Sequence, residues 1–309
     1  MTKRLIFIFA IFFVFLLLKP TSPLPIPISQ LTTHFSTSPQ PITLIAVGDI
    51  MLGRSVNSKM RRLGDFSYPF LETWKFLASS DLTFGNLESP LVSGCPTTNT
   101  GMTFCADPKA IEGLTKSGFD ILSLANNHVL NYGQGGLSQT IEILQNNNIY
   151  PLLQGKEQII EIKKTRFGFL GFDLTSSYNQ KQILEKIKEE KTRVDILIVS
   201  FHWGEEYVQK PSQRQINLAH QAVDSGTDLI LGHHPHVIQP TEEYKGKLII
   251  YSLGNFIFDQ PWSEETKRGL VGKFIFLDKK LVKKEFLEIY IKDFCQPEFV
   301  SFQPEGLGE

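Results

Sequence analysis

The sequence predicts an α/β fold with a largely parallel, buried sheet. Three observations lead there. Short apolar runs recur along the chain, each about the length of a strand. Between several of them lie segments with apolar residues at i, i+3 and i+4, the helical period. The runs end repeatedly in Asp, Asn, Glu or His, and in open α/β sheets ligands gather outside the carboxyl ends of the strands.

The first segment stands apart. "MTKRLIFIFAIFFVFLLLKP" places Lys3 and Arg4 before an unbroken apolar run from Leu5 to Leu18. A basic start and a short apolar core read as an export signal. The run is short for a membrane span, which usually needs ~20 residues. Residues 1–19 are therefore expected to be an uncleaved anchor in the cell membrane, with the following domain on the extracytoplasmic side, or a signal cleaved to release a secreted protein. Residues 20–41 are rich in Pro, Ser and Thr, without period, and read as an extended linker. The folded domain is expected over 42–292, with 293–309 as a C-terminal tail.

Within that domain the expected strands are "ITLIAVGD" (42–49), "DLTFGN" (81–86), "DILSLANN" (120–127), "RFGFLGF" (166–172), "VDILIVSFHW" (194–203), "TDLILGHH" (227–234) and "KLIIYSLGN" (247–255). Expected helices are "PKAIEGLTKSG" (108–118), "GGLSQTIEILQNNN" (135–148) and "PSQRQINLAHQAVDSG" (211–226). The alternating stretch 269–291 reads as a terminal hairpin.

Composition narrows the function classes. With 31 Lys+Arg against 32 Asp+Glu the net charge is -1, so no basic excess points to nucleic acid. Cys95 and Cys105 flank a polar loop and would form a disulfide in an oxidising compartment; Cys295 stands alone.

The strand ends carry the chemistry. They supply Asp49, Asn86 with Glu88 just beyond, Asn126–Asn127–His128, His202, and the cluster His233, His234, His236. Five of the seven histidines are accounted for by these ends. Mixed imidazole, carboxylate and amide side chains suit a borderline divalent cation such as Mn, Fe or Zn better than calcium, which takes oxygen ligands. His220, inside an amphipathic helix, reads as structural, and Trp203 as a pocket wall. Arg54 would meet an anionic substrate or form a structural salt bridge. Glu206 (or Glu205) would orient a ligand histidine or a substrate group, or lie solvated at the surface. Asn255, at another strand end, would line the site or turn the chain.

Six stretches, in order, resemble capsule biosynthesis proteins of the CapA (PgsA) type, linked to poly-γ-glutamate: "GDIMLGR", "GNLESPL", "GFDILSLANNHVLNYGQGGL", "FHWGEEY", "GHHPHVIQP" and "YSLGNFIFD". They cover roughly residues 42–278. The resemblance implies a branch of the calcineurin-like metallophosphoesterase superfamily: a metallo-dependent phosphatase-like sandwich of two β-sheets flanked by helices. It implies one or two divalent metal ions (Mn, Fe or Zn) held by Asp49, Asn86 or Glu88, Asn127, His202, His234 and His236. His128 is the implied catalytic group, and His233 a neighbour of the ligand pair. Arg54, Glu206 and Asn255 are the candidate substrate contacts.

The implied substrate is a phosphoester or an anionic γ-glutamyl polymer, with capsule synthase components as possible partners. The implied activity is metal-dependent hydrolysis or transfer; the rival is a non-catalytic polymer-binding component of an assembly complex. Three departures bear on the choice. Met51 stands where phosphoesterases carry His, and Asn86 where they carry the bridging Asp. Asn131 replaces the Asp that commonly follows Asn-Asn-His in the capsule family, which removes a charge near the site.

Overall fold

The computed structural model describes residues 39–300. The expected anchor or signal at 1–19, nearly all of the expected linker and the last nine residues lie outside the described residues. Among the described residues no helix is long and apolar enough to cross a membrane.

The chain runs β1 (Ile42–Ile50), α1 (Arg54–Leu63), α2 (Trp74–Leu77), β2 (Leu82–Leu87), α3 (Ile111–Lys116), β3 (Ile121–Ser123), α4 (Gly133–Asn146), β4 (Tyr150–Leu152), β5 (Glu157–Ile162) and β6 (Thr165–Asp173). It continues through α5 (Gln180–Lys191), β7 (Ile196–His202), α6 (Gln213–Asp224), β8 (Leu229–His233), β9 (Thr241–Tyr244), β10 (Lys247–Ile250), β11 (Asn255–Ile257), β12 (Arg268–Leu277), β13 (Lys280–Lys292) and β14 (Gln296–Phe299). The last strand extends the sheet beyond residue 292, where the sequence suggests the domain ends.

The parallel strands are divided between two sheets. One has eight strands, ordered β14-β13-β12-β1-β2-β3-β4 with β11 added alongside β1; the other has six, ordered β5-β6-β7-β8-β10-β9. In the first, β1 to β4 are parallel and β12 to β14 antiparallel. In the second, β6, β7, β8 and β10 are parallel, with an antiparallel strand at each edge.

The apolar runs follow from this arrangement. Leu44 and Ala46 of β1, Phe84 of β2, and Ile196 and Ile198 of β7 point into the space between the sheets. Ile45 and Val47 point outward under α1 and its neighbours, where Val56, Met60 and Leu144 meet them. Leu197 and Val199 point outward under α5 and α6, against Ile183, Ile187 and Leu218. Each central strand is thus covered on both faces, so alternation disappears and the strand reads as continuously apolar. The result is four layers, helices–sheet–sheet–helices, with Phe84 and Phe169 stacked at 6.0 Å across the middle. A fully buried Phe contributes roughly 1.5–3 kcal/mol, so this interior is a principal source of stability.

Two expected strands end differently. The run 120–127 keeps strand pairing only over Ile121–Ser123, and the remainder is loop. The run 247–255 is cut in two: β10 belongs to the second sheet and β11 pairs with β1 in the first. The break spans 251–254 and ends at Gly254, whose φ is +69°, a conformation that favours glycine. A Cβ at Gly48 would lie 2.0 Å from the Gly254 carbonyl oxygen. Glycine at position 48 therefore permits the approach that sets Asp49 beside Asn255. The expected hairpin is β12–β13, turned by Asp278 and Lys279, both at positive φ.

Candidate metal centre

The carboxyl ends of both sheets converge on one point. From the first sheet come Asp49 (β1), Asn86 (β2), Glu88 just past it, and the loop 124–130 after β3; from the second come His202 (β7) and the segment 233–236 after β8. Asp49, Asn86, Glu88, His202, His233, His234 and His236 are buried, while Asn127 is exposed at the mouth.

Glu88 is the centre of the arrangement. Neither of its carboxylate oxygens has a hydrogen-bond partner, although the side chain is wholly buried. Its Oε1 lies 3.6 Å from His202 Nε2, 3.8 Å from His236 Nε2 and 3.9 Å from His128 Nε2. Burial, with the charge of Asp49 added, pushes the Glu88 carboxyl well above the usual carboxylate range. A carboxylate left in this condition is costly, and buried charges are ordinarily paired or bound to metal. The Nδ1 of His234 and Nε2 of His233 are likewise buried without partners.

Asp49 is in the opposite state. Its Oδ1 accepts from Asn86 Nδ2 at 2.8 Å and lies 3.2 Å from His233 Nδ1. Its Oδ2 accepts from the His234 backbone N–H at 3.1 Å and lies 3.2 Å from His236 Nδ1. Burial alone would raise its pKa, but the contacts from His233 and His236 outweigh burial and hold it well below the carboxylate range.

Asn86 is fully engaged. Asn126 Nδ2 donates to the Leu87 carbonyl at 2.9 Å and to Asn86 Oδ1 at 3.1 Å. Those donations fix which way both amides face. The Asn86 oxygen is thereby occupied and its NH2 turns toward Asp49 and His202 Nδ1, the latter at 3.3 Å. Of the two residues expected to compete for the bridging position, Glu88 presents the unpartnered carboxylate.

The histidines are oriented from behind. Asn255 Nδ2 donates to Gln260 Oε1 and the Thr266 carbonyl, so its oxygen accepts from His236 Nδ1 at 3.0 Å. That leaves His236 Nε2 toward Glu88, the pattern by which outer groups fix a ligand imidazole. Asn255, a candidate substrate contact in the sequence, is wholly buried behind His236. His128 Nδ1 lies 3.0 Å from Asn131 Oδ1, and its ring stacks on Phe104 at 4.1 Å. Asn127 Oδ1 lies 3.0 Å from His202 Nε2. Burial lowers the pKa of His202 well below its usual value, that of His234 to about 4, and that of His128 also. Neutral imidazoles are the metal-binding form.

Three overlapping trios have ligand atoms within 4.8 Å of one another: Glu88–His202–His234, Asp49–Glu88–His236 and Glu206–His234–His236. The orphaned oxygens of Glu88 and the imidazoles around them fit a divalent cation. Glu206, half-buried, stands on the solvent side. Its neighbour Tyr207 is exposed, with its ring 6.1 Å from His236.

Arg54 is separated from His128 by the Phe104 ring. Its guanidinium pairs with Asp259, with Nε donating at 3.0 Å, donates to the Gly101 carbonyl, and sits 4.7 Å above the Phe104 ring. The ion pair with Asp259 is the structural salt bridge that is one of its two expected roles. Met51 is buried, and its sulfur accepts from the Gly53 N–H at 3.0 Å. It brings no imidazole to the centre.

Sequence reasoning missed the bridging amide of Asn126 and the contact of His233 with Asp49. The Asn-Asn doublet and the third histidine were the available signals. It also missed Phe104, which reaches His128 from the loop stapled by the Cys95–Cys105 disulfide. His220, read as structural, pairs with Glu242 at 2.7 Å and stacks on Tyr244, away from the centre.

Comparison with known proteins agrees with this architecture. The family model for "Bacterial capsule synthesis protein PGA_cap" matches residues 43–260. The capsule biosynthesis protein CapA of Bacillus anthracis is 34% identical over 260 residues, covering 74% of this chain and 63% of that protein. The PGA biosynthesis protein CapA of Bacillus subtilis (strain 168) is 32% identical over 250 residues, covering 73% and 65%. The chain thus spans just under two thirds of the length of these relatives. Among solved structures, a hypothetical protein from Thermus thermophilus superposes with a TM-score of 0.56 at 15% identity, covering 81% of this chain and 100% of that one. A protein described as a novel phosphatase from Mycoplasma pneumoniae gives 0.54 at 17%, covering 82% and 94%. Both share the fold.

Proposed function

Because the chain belongs to the bacterial capsule synthesis protein family PGA_cap, we propose that the cluster around Glu88 is the divalent-metal centre of an extracytoplasmic hydrolase or transferase. Its substrate would be a phosphoester or a γ-glutamyl polymer of the cell envelope. The observation that carries this reading is the buried Glu88 carboxylate, unpartnered on both oxygens and faced by three imidazoles. Asp49, Glu88, Asn127, His202, His234 and His236 would hold one or two ions (Mn, Fe or Zn), and Asn86 would lock Asp49 and His202 in place. A bound divalent ion supplies Lewis acidity and an activated water.

The chain's own residues supply the rest. His128 commits its Nδ1 proton to Asn131 and presents Nε2, where a proton can be held and returned to the leaving group. Glu206 on the solvent side would position the incoming group. Residues 1–19 would place the domain outside the membrane as an anchor or export signal, in reach of capsule synthase components.

A second reading is a polymer-binding assembly component without turnover. Met51 and Asn86 favour it, because one half of a two-ion site would lack an imidazole and an amide stands where phosphoesterases carry the bridging Asp. Elemental analysis of the purified protein, joined to turnover of a generic phosphodiester with Mn, Fe or Zn, separates the two. Two ions and turnover lost in His234→Ala support the enzyme. One ion or none, without turnover on phosphodiester or γ-glutamyl polymer, supports the binding component.

A further inference from the structure

Beside the centre, and sharing Asn127 with it, lies a cavity of about 620 Å³ whose other walls the reading above does not use. Its walls come from the loop 124–130, the segment 172–179 at the end of β6, and the first turns of α5. Its size falls within the range of small-molecule sites.

The chemistry of the wall is selective. Its formal charges are Asp173 and Lys186. The Lys186 ammonium is already held, 2.7 Å from Glu190 and 3.1 Å from Glu157. An anionic ligand would therefore find no free cation here and would meet a carboxylate. The other polar groups of the lining are neutral, Asn127, Ser176, Ser177 and Gln182 among them. The lining also includes apolar side chains, among them Val129, Phe172 and Ile183. An extended peptide would seek an unpaired strand edge, but β6, the strand contributing Phe172 and Asp173, is paired on both sides by β5 and β7.

We propose that this cavity binds an uncharged sugar unit, one hydroxyl-bearing ring of a glycan. Its apolar face lies on Val129, Phe172 and Ile183. Its hydroxyls meet the serine, amide and Asp173 groups. The centre beside Asn127 would then act on a group attached to, or transferred onto, that glycan. This purpose rests on the metal-centre reading, but the binding does not.

The test is titration calorimetry of the whole protein with a neutral tetramer of N-acetylglucosamine, alongside an oligo-γ-glutamate of equal length. Saturable binding of the tetramer, insensitive to salt and weakened about tenfold or more by Ser177→Trp and by Gln182→Ala, is expected. Both positions are exposed, and unchanged melting of the variants would show that the fold is intact. His234→Ala, which lies outside the cavity wall, should bind the tetramer as the parent does, so the metal reading and the sugar reading fail separately. No heat with the tetramer, tetramer binding unmoved by both cavity variants, or salt-dependent binding of the oligo-γ-glutamate that those same two variants weaken would each overturn the proposal.

Discussion

Asn131 Oδ1 receives two donors at once, the Phe104 backbone N–H at 2.6 Å and His128 Nδ1 at 3.0 Å. Because a backbone N–H can only donate, the atom it meets is the amide oxygen, and His128 must carry its proton on Nδ1. The residue that looked in the sequence like a lost charge therefore keeps the acceptor that orients the imidazole. Replacing it with Leu should lower turnover of a phosphodiester roughly 10- to 100-fold, the usual scale for a group orienting a site residue, with little change in KM. Asn131→Asp, which retains the acceptor, should keep most of the activity. Wild-type kcat in Asn131→Leu would refute this role for Asn131.

Glu88 should make the protein's stability depend on metal. Its pKa is raised on folding, so the neutral acid is favoured in the fold and the ionised form weakens it as pH rises above the ordinary value of 4.5. At pH ~7–8 the metal-free Glu88→Gln variant should melt higher than metal-free parent protein. Saturating Mn or Zn should stabilise the parent by about 2.7 kcal/mol at a hundredfold excess over Kd and leave the variant unmoved. Calorimetric melting with and without metal checks both signs.

The three cysteines should titrate as one plus a pair. Burial pushes the Cys295 thiol up to about 12, so the native protein should resist alkylation at mildly alkaline pH. Unfolding without reductant should expose one thiol, and unfolding with reductant three. Mass spectrometry of the alkylated protein counts them. Removing the Cys95–Cys105 link should cost about 2–4 kcal/mol.

Acid sensitivity should appear at the start of β5. Hydrogen bonding to its own backbone N–H, then to Lys186 and Arg193, lowers the Glu157 pKa from 4.5 to about 2. A depressed carboxylate contributes its stability above the unfolded value and loses it as pH falls through the folded one. The difference in melting temperature between parent and Glu157→Gln should be full at pH ~6 and shrink from about 4.5 down to about 2. A difference that stays constant over that window would show that the ion pairs contribute nothing there.

Much of this molecule is legible in its sequence where burial is two-sided. The strands of 42–50, 196–202 and 229–233 are covered on both faces and stand out as apolar runs. By contrast α1, "RSVNSKMRRL", and α5, "QKQILEKIKEEK", bury narrow stripes, Val56 with Met60 and Ile183 with Ile187, that form no apolar run among their charged residues. The run 247–255 reads as one strand because composition does not reveal that β10 stops at Ile250 and that Asn255 opens a strand of the other sheet.

The polar side chains that meet at the centre were visible because each ends a strand. Their individual roles were not. Whether Asn86 or Glu88 offers a free oxygen depends on how Asn126 turns its amide, and Asn126 answers to the Leu87 carbonyl. Arg54 was open to two partners until the fold brought Asp259 across from a distant part of the chain.

The place of β1 carries a further consequence, for assembly. It is the first strand among the described residues, yet it sits in the middle of its sheet: one edge pairs with β2, close behind, and the other with β12, where Ile42 meets Phe276, and with β11 at Asp49 and Ile50. A chain synthesised from its N-terminus holds that second edge bare until residues 255–277 appear. Such long-range pairing slows folding and leaves an unpaired strand open to misassociation. Truncation within the final hairpin should therefore harm the whole domain, including a centre whose own residues all precede the cut.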